Sequence, residues 1–484
     1  RPSKMTRRKA APPEIDPAPT TPDEKAPAHR AGTSFCAKKT CRSCPFLYRK
    51  RFSQQARPGQ NQQPFNTFPL YCMADHTVFP LAQQKGENAK MIPKTEVTEL
   101  LQQLVAIKSE YFHEDDIMDF AADWLRRHGL PAQLHQYHDA KVTNFHGKNV
   151  FSLLPGSLPG PVICLNGHLD TVQRCGGWTR DPYGELDGDR LYGVGALDMK
   201  SGCAALMAAA AHFAAAHKTF AGTIKLALVS DEEGPYGLGT NALIEDGYLS
   251  DVDFSLITEP SSGFDGKPFP DVCLGARGGY GLEVRFYGKS AHAANPEKGH
   301  SALLDAAKVA QALEQVDYIE DPHLGKGTCC VVGISADGGA CSVPDYAVLR
   351  LFWHIVVGES PETIVREIEK AAQRAGITGR YEICFREAPS EGSRGFMPYT
   401  VPQGDSMTVA LLDSIRQVTG KEPSISYFSS IGDFNYLGTR LGAPAIIFGA
   451  DGENYHSSDE YVELSSVHQT AEAVLAFLEK VLLP

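Results

Sequence analysis

The pattern of hydrophobic and polar positions changes abruptly at Met91. After it, residues 97–107 and 116–128 place apolar side chains at helical spacing, which predicts two amphipathic helices, the second ending at Gly129. Before it, residues 1–90 show little periodic pattern and hold 12 of the 32 prolines. We therefore predict a disordered head followed by a folded body.

Short apolar runs alternate with helical patterns along this body, and an alanine-rich helix is predicted over residues 199–216. Runs of four to six apolar residues between turn signals are typical of buried strands. They lie at residues 162–165, 224–229, 254–257 and 445–448. Strands that alternate with helices predict an α/β fold with a mixed, mostly parallel sheet flanked by helices.

A different order of elements begins near residue 276. Strand, helix, strand, strand, helix and strand are predicted at residues 281–286, 300–313, 328–335, 347–357, 361–375 and 381–385. This βαββαβ order is typical of a small α+β sandwich. We predict a larger domain in two parts, 91–275 and 389–484, with a smaller domain inserted at 276–388.

Composition and charge exclude some classes of function. The 484 residues are 42% hydrophobic and 21% charged, as in a globular protein without a membrane span. Residues 1–90 hold 16 Lys and Arg against 6 Asp and Glu, whereas the whole chain has a net charge of −12. An acidic body argues against nucleic-acid binding and leaves it only as a weaker alternative for the head. Twelve scattered cysteines favour a reducing, cytoplasmic location.

Residues 1–90, the head, have two possible interpretations. In the first, they are a disordered, basic, proline-rich segment of the native protein. In the second, they are read-through from upstream of a true start at Met91. Three clustered cysteines and a fourth further on suggest zinc, but their irregular spacing makes that the less favoured interpretation. These residues are Cys36, Cys41, Cys44 and Cys72.

Candidate chemistry follows the predicted strands. Four apolar runs lead to His168, to the acidic stretch 231–233, to Glu259 and to His456, and Asp198 precedes the alanine-rich helix. The carboxyl ends of parallel strands meet at one edge of a sheet. Taken singly, each residue is an ordinary polar turn or helix cap. Together they suit two divalent ions that share a carboxylate, with zinc favoured and cobalt or manganese as alternatives.

Six motifs give the chain a family resemblance. In order, they are GHLDTV, GVGALDMKSG, SDEEG, TEP, GKSAHAANPEKG and YHSSDEYVEL. From about Met91 onward the chain resembles the M20 metallopeptidases, which include acetylornithine deacetylase, succinyl-diaminopimelate desuccinylase, aminoacylase and glutamate carboxypeptidase. The resemblance does not extend to residues 1–90.

The resemblance implies a role for each matching residue. The implied metal ligands are His168, Asp198, Glu233, Glu259 and His456, with Asp198 bridging the two ions. Asp170 would hold the His168 imidazole, and Glu232 would be the general base. His292 would steady the oxyanion, often across a dimer, and the inserted domain would be a lid through which two chains pair.

The chain departs from the family where the substrate's carboxylate is usually held. The family's Asn and Arg align with Cys341 and His354. We hypothesise that Arg350, or Arg277 near the hinge, supplies the cation instead. Arg350 and His354 share a strand face but stand about 13 Å apart along it. The alternative is that Arg350 only packs the lid.

The sequence thus predicts a two-metal hydrolase that cleaves an amide bond of an N-acyl amino acid or short peptide, with deacylase-type activity favoured. A dipeptidase or carboxypeptidase of the same family is the alternative. A non-catalytic binding protein on this fold is disfavoured because every implied ligand and the base are present. The expected partners are a small-molecule or short-peptide substrate and a second copy of the chain, with neither nucleic acid nor membrane.

Overall fold

The computed structural model describes residues 91–484. The predictions made for the head, which are disorder and the less favoured zinc site at Cys36, Cys41, Cys44 and Cys72, lie outside the described residues. The helices and strands predicted after Met91 form close to their expected positions.

The described residues form ten α-helices. These are α1 Lys94–Ala106, α2 Asp115–Arg127, α3 Ser201–Ala216, α4 Leu238–Glu245, α5 Ser261–Asp265, α6 Ala302–Leu313, α7 Pro361–Arg374, α8 Ser406–Thr419, α9 Phe434–Arg440 and α10 Leu464–Leu482. An irregular turn, Ala196–Lys200, in which Asp198 and Met199 have non-helical backbone angles, precedes α3. Each helix in the described part of the chain is too short or too polar to cross a membrane.

The same residues form nineteen strands, several of them only two or three residues long. These are β1 Ala132–His138, β2 His146–Pro155, β3 Leu158–His168, β4 Tyr183–Asp187, β5 Arg190–Gly193, β6 Ala221–Val229, β7 Phe254–Ile257, β8 Asp271–Ala276, β9 Gly278–Tyr287, β10 Glu320–Asp321, β11 Gly325–Lys326, β12 Thr328–Ala336, β13 Tyr346–Ile355, β14 Arg380–Phe385, β15 Tyr399–Thr400, β16 Ser424–Phe428, β17 Ala445–Ile447, β18 Gly452–Glu453 and β19 Tyr461–Glu463.

The largest sheet has nine strands in the order β1-β2-β6-β3-β7-β17-β8-β15, with β16 beside β8. Its central strands β6, β3, β7 and β17 run parallel, and antiparallel pairs flank them. Strands covered on both faces are apolar throughout, as in β7, where all four residues are buried. The predicted mixed α/β fold with flanking helices is confirmed.

The alanine-rich helix α3 lies deep in the main core. Thirteen of its sixteen residues are buried, and it packs on β3 and β6 and against α1 and α10. Small side chains let its backbone approach closely. A Cβ on Gly202 would lie 2.1 Å from the carbonyl oxygen of Thr258, at the end of β7. The helix therefore starts directly beside the edge of the sheet where the candidate ligands lie.

A second, antiparallel sheet has the order β12-β13-β9-β14; it packs against α6, and α7 shares the same core. Leu349, Leu351 and Trp353 of β13 are buried in a core separate from that of the large sheet. The alternate residues of β13 point to the opposite face. The order of these elements matches the predicted βαββαβ pattern, and the exact domain boundaries at 276 and 388 stay a prediction.

Candidate metal centre and active site

The four central parallel strands bring the predicted ligands to one edge of the large sheet. His168 is the last residue of β3 and is paired with Val229 of β6. The acidic stretch 231–233 follows β6, Glu259 follows β7, and the chain after β17 leads to His456. Parallel strands end on the same side, so residues distant in sequence meet here.

The first candidate ligand group contains His168, Asp198 and Glu259, all buried. The His168 Nε2 atom lies 3.2 Å from Asp198 Oδ1 and 3.3 Å from Glu259 Oε1. These three atoms face one another as ligands of a single cation would.

The second group contains Asp198, Glu233 and His456. The His456 Nε2 atom lies 2.8 Å from Glu233 Oε1 and 3.3 Å from Asp198 Oδ2. Asp198 therefore belongs to both groups through different oxygens, which is the geometry of a carboxylate that bridges two ions.

Glu232 lies beside both groups without belonging to either. Its Oε2 atom is 3.8 Å from His168 Nε2, and its Oε1 atom accepts a hydrogen bond of 3.1 Å from the backbone N–H of Asp433. Burial raises the pKa of the Glu232 carboxyl well above its usual value. One oxygen is fixed and the other faces the ligand groups.

Asp170 orients both His168 and the acidic loop. The His168 Nδ1 atom lies 3.1 Å from the Asp170 carbonyl oxygen and 3.5 Å from its carboxylate. The same carboxylate accepts hydrogen bonds from the backbone N–H groups of Glu232 at 3.1 Å and Glu233 at 2.9 Å. A single buried carboxylate thus links a candidate ligand on β3 to two residues after β6.

Glu460 is a positioning residue that the sequence reasoning missed. Its buried carboxylate accepts hydrogen bonds from the backbone N–H groups of Gly195, Leu197 and Asp198 at 2.9–3.1 Å. Gly195 has a φ of +74°, a conformation that favours glycine. Glu460 stands inside the quoted motif YHSSDEYVEL, which was the only signal for it.

Two site residues other than glycine have a left-handed backbone. Asp231 has a φ of +57° and His456 a φ of +58°. Asp and His adopt this region more readily than most residues, at a cost that persists when surrounding contacts fix the turn. His456 belongs to the second ligand group, and Asp231 directly precedes Glu232 and Glu233.

The chemistry of the donor set suits divalent cations. Burial raises the pKa of Glu259 to about 8 and that of Glu233 to about 7, in both cases with help from Asp198. Hydrogen bonds to Asp198 and Glu233 raise the pKa of His456 to about 11. Clustered buried carboxylates are costly unless cations neutralise them. Imidazole nitrogens and carboxylate oxygens are ligands that zinc accepts.

A cavity of about 220 Å³ opens onto these groups. One wall carries Glu232 and all the candidate ligands except His168. The other is largely aromatic and contains Phe264, Phe428, Phe434 and Tyr455. The site therefore offers polar chemistry on one side and space for an apolar substituent on the other.

His292 and Cys341 lie away from this cavity. His292 is exposed, and its Nδ1 atom accepts a hydrogen bond of 3.1 Å from the backbone N–H of Ala294. The carbonyl oxygen of Cys341 accepts a hydrogen bond from the N–H of Ala293, so the two segments are neighbours. Within one chain, His292 lines neither of the two cavities that contain Glu232.

The three predicted substrate-binding residues are also placed apart from the ligand groups. The Arg277 Nε atom donates a 2.9 Å hydrogen bond to the carbonyl oxygen of Leu324. Burial, together with the nearby Arg277, lowers the pKa of His354. Arg350 lines a cavity of about 460 Å³ on the small sheet, which adjoins one of the two cavities that contain Glu232 but does not itself contain Glu232. Their roles in substrate binding stay predictions.

Comparison with known proteins agrees with the motifs. Residues 164–480 match the sequence profile of peptidase family M20/M25/M40. The chain belongs to this family. Succinyl-diaminopimelate desuccinylase of Bordetella petrii is 30% identical over 336 residues, which cover 67% of this chain and 84% of that enzyme. The predicted activity class is confirmed: the protein is a hydrolase of amide bonds.

Two solved structures show the same fold. Aminopeptidase PepT from Bacillus cereus has a TM-score of 0.66 at 20% identity, and the match covers 81% of this chain and 99% of that one. YXEP from Bacillus subtilis, described as a dinuclear metal-binding peptidase of the M20 family, has a TM-score of 0.58 at 14% identity, covering 80% and 98%. The fold thus occurs in M20 family peptidases.

Proposed function

We propose that this protein is a deacylase-type hydrolase that cleaves an N-acyl amino acid with two zinc ions. The observation that carries the proposal is the shared carboxylate: Asp198 offers one oxygen to each ligand group, and Glu232 stands beside both. The similarity to a desuccinylase, an enzyme named for removing an acyl group, supports deacylation over peptide cleavage.

The chain's own residues divide the work. His168, Asp198 and Glu259 would hold one ion, and Asp198, Glu233 and His456 the other. When bound, the ions supply Lewis acidity to the scissile carbonyl. Glu232 takes a proton from the attacking water and passes it to the leaving amine nitrogen. The Asp170 carboxylate fixes the position of Glu232 and Glu233 by accepting hydrogen bonds from their backbone N–H groups.

Metal removal and return tests this proposal. We expect the full-length protein to lose hydrolysis of N-acyl amino acids when a chelator removes its metal ions, and to regain it with zinc. The reason is that the six donor atoms of the two ligand groups can activate water and the scissile carbonyl only through bound cations. Cobalt and manganese, tested in parallel, identify the metal that serves best.

The substrate panel includes dipeptides. Faster cleavage of dipeptides than of N-acyl amino acids would replace the deacylase assignment with the peptidase alternative. Full activity in the metal-free protein would contradict the two-metal mechanism itself.

We further propose a homodimer formed through the small sheet. Strand β12 lies at its edge, and the side chains of Val331, Val332 and Ile334 are 43%, 58% and 43% exposed. Exposed apolar residues on an edge strand favour pairing with a second strand. A partner chain would then be the source of a His292 near the metal centre.

A cytoplasmic location also stays a prediction.

Charging this edge tests the dimer. Val332→Lys is expected to shift the solution mass from two chains to one, because an unpaired lysine opposes burial of the strand edge. If His292 of the second chain assists the reaction, kcat should fall together with the solution mass of the protein. Val409→Lys, the same substitution at an exposed position of α8 away from the small sheet, is the control for added charge. A wild-type protein that is monomeric and fully active would contradict this proposal.

A further inference from the structure

We propose that Arg386, which no motif singled out, binds the carboxylate of the substrate and thereby positions the scissile amide at Glu232. The inference rests on the proposed function and assigns its missing anion site. The observations that carry it are a largely buried cation without an anionic partner and a cavity that joins this cation to the candidate base.

The cavity lies between the large and the small sheet. It has a volume of about 220 Å³ and is lined by Glu232 and Glu233 on one side and by Phe352 and Arg386 on the other. It shares Glu232, Glu233 and Ile431 with the aromatic cavity. One substrate can therefore reach from Arg386 across the glutamate pair toward the aromatic wall.

Arg386 is held in place without using up its hydrogen-bond donors. It directly follows β14, and its backbone N–H donates a 3.0 Å hydrogen bond to the carbonyl oxygen of Gly281. The guanidinium carbon lies 4.1 Å from the centre of the Tyr236 ring. Stacking on an aromatic face orients the guanidinium plane and leaves its N–H edge available.

This cation lacks a carboxylate partner in the part of the chain that the structure describes. Its Nε–H is buried and without a hydrogen-bond partner there. Burial lowers the pKa of Arg386, as expected for a cation removed from water. Native proteins rarely leave a buried arginine unpaired, because removing a charge from water without a partner is costly. The missing partner is therefore best supplied by an anionic ligand.

The neighbouring strand leaves room for that ligand. Gly281 of β9 lies opposite Phe352 of β13 in the sheet register. A Cβ on Gly281 would have only one atom within 4.0 Å, the Cδ of Arg386 at that distance. The missing side chain thus leaves open space beside the side chain of Arg386.

The other nearby cations are less suited. Arg277 already donates its Nε–H to Leu324, and Arg285 pairs with Glu283 at 3.0 Å. Arg350 does not line either cavity that contains Glu232. A planar guanidinium binds a carboxylate through two parallel hydrogen bonds. With the amino-acid carboxylate at Arg386, the acyl group extends toward the aromatic cavity.

The test compares an N-acyl amino acid with its carboxamide, using the full-length, zinc-loaded protein. Arg386→Gln is expected to raise KM for the acid roughly 10- to 100-fold, with a much smaller change in kcat. The rise follows from the loss of hydrogen bonds to a charged group. The carboxamide should be affected little, so the preference for the acid disappears. Arg386→Lys should restore part of it, because the charge is kept and the bidentate geometry is lost.

Two further variants separate binding from folding. Arg285→Gln removes one positive charge from the same face of the small sheet and should leave the acid preference unchanged. Gly281→Leu fills the space beside the guanidinium and should raise KM for the acid while Arg386 remains. Thermal unfolding of each variant checks that the fold persists.

Three results overturn the inference. They are an unchanged acid preference in Arg386→Gln, a wild-type protein that cleaves acid and carboxamide equally well, and a rise in KM from Arg350→Ala but not from Arg386→Gln. In each of these cases the protein still hydrolyses amides, so the proposed function stands. Absence of hydrolysis of any panel substrate by the zinc-loaded protein overturns the proposed function and this inference together.

Discussion

Replacing Glu232 with Gln is expected to lower kcat by roughly 10²- to 10⁴-fold, the usual contribution of a positioned general base. Glutamine keeps the size of the side chain and can still accept the hydrogen bond from the N–H of Asp433. It cannot accept a proton from water. The loss should therefore appear in kcat, with KM changed far less.

Metal content separates this role from that of a ligand. Glu232 lies outside both ligand groups, so Glu232→Gln should bind the same two ions per chain as the unsubstituted protein. Glu314→Gln, an exposed position at the end of α6, is the matched control and should keep full activity. A variant that retains more than a tenth of kcat with both ions bound would assign the proton transfer to another residue. Loss of an ion would make Glu232 a ligand.

The position of the site at one edge of the sheet was predictable from the sequence. Short apolar runs separated by helices indicate parallel strands, and parallel strands end on one side. His168, Glu259 and His456 each follow such a run, so their meeting needed no knowledge of tertiary contacts. The bridging role of Asp198 came from the family resemblance, and the distances to His168 and His456 support it.

The supporting contacts were not predictable, because they join residues far apart in sequence. Glu460 reaches back about 260 positions to three backbone N–H groups, a contact that no local pattern encodes. The left-handed turn at His456 is fixed by its surroundings and not by a glycine. Arg386 is a single basic residue after a strand, which is ordinarily solvated. Only the fold shows that it is largely buried and unpaired.

Asp198→Asn is expected to remove both ions and all measurable hydrolysis. Asp198 is the only residue present in both ligand groups, and its two oxygens face different histidines. Asparagine has almost the same shape but lacks the charge, and its nitrogen cannot serve as a ligand. The binding free energy of structural zinc held by four ligands is about 10–16 kcal/mol. One ligand therefore contributes about 3 kcal/mol, or on the order of 100-fold in affinity. For Asp198 this loss applies at both positions.

Glu259→Gln provides the matched comparison, because Glu259 belongs to the first group alone. Metal analysis should find about one ion per chain in Glu259→Gln and less than one in Asp198→Asn. Ions that bind only the folded state stabilise it, so zinc should raise the unfolding temperature least for Asp198→Asn. The backbone N–H of Asp198 still reaches Glu460, so the loop itself should persist. Equal ion contents in the two variants would show that Asp198 serves one ion only, and the bridging geometry would have to be abandoned.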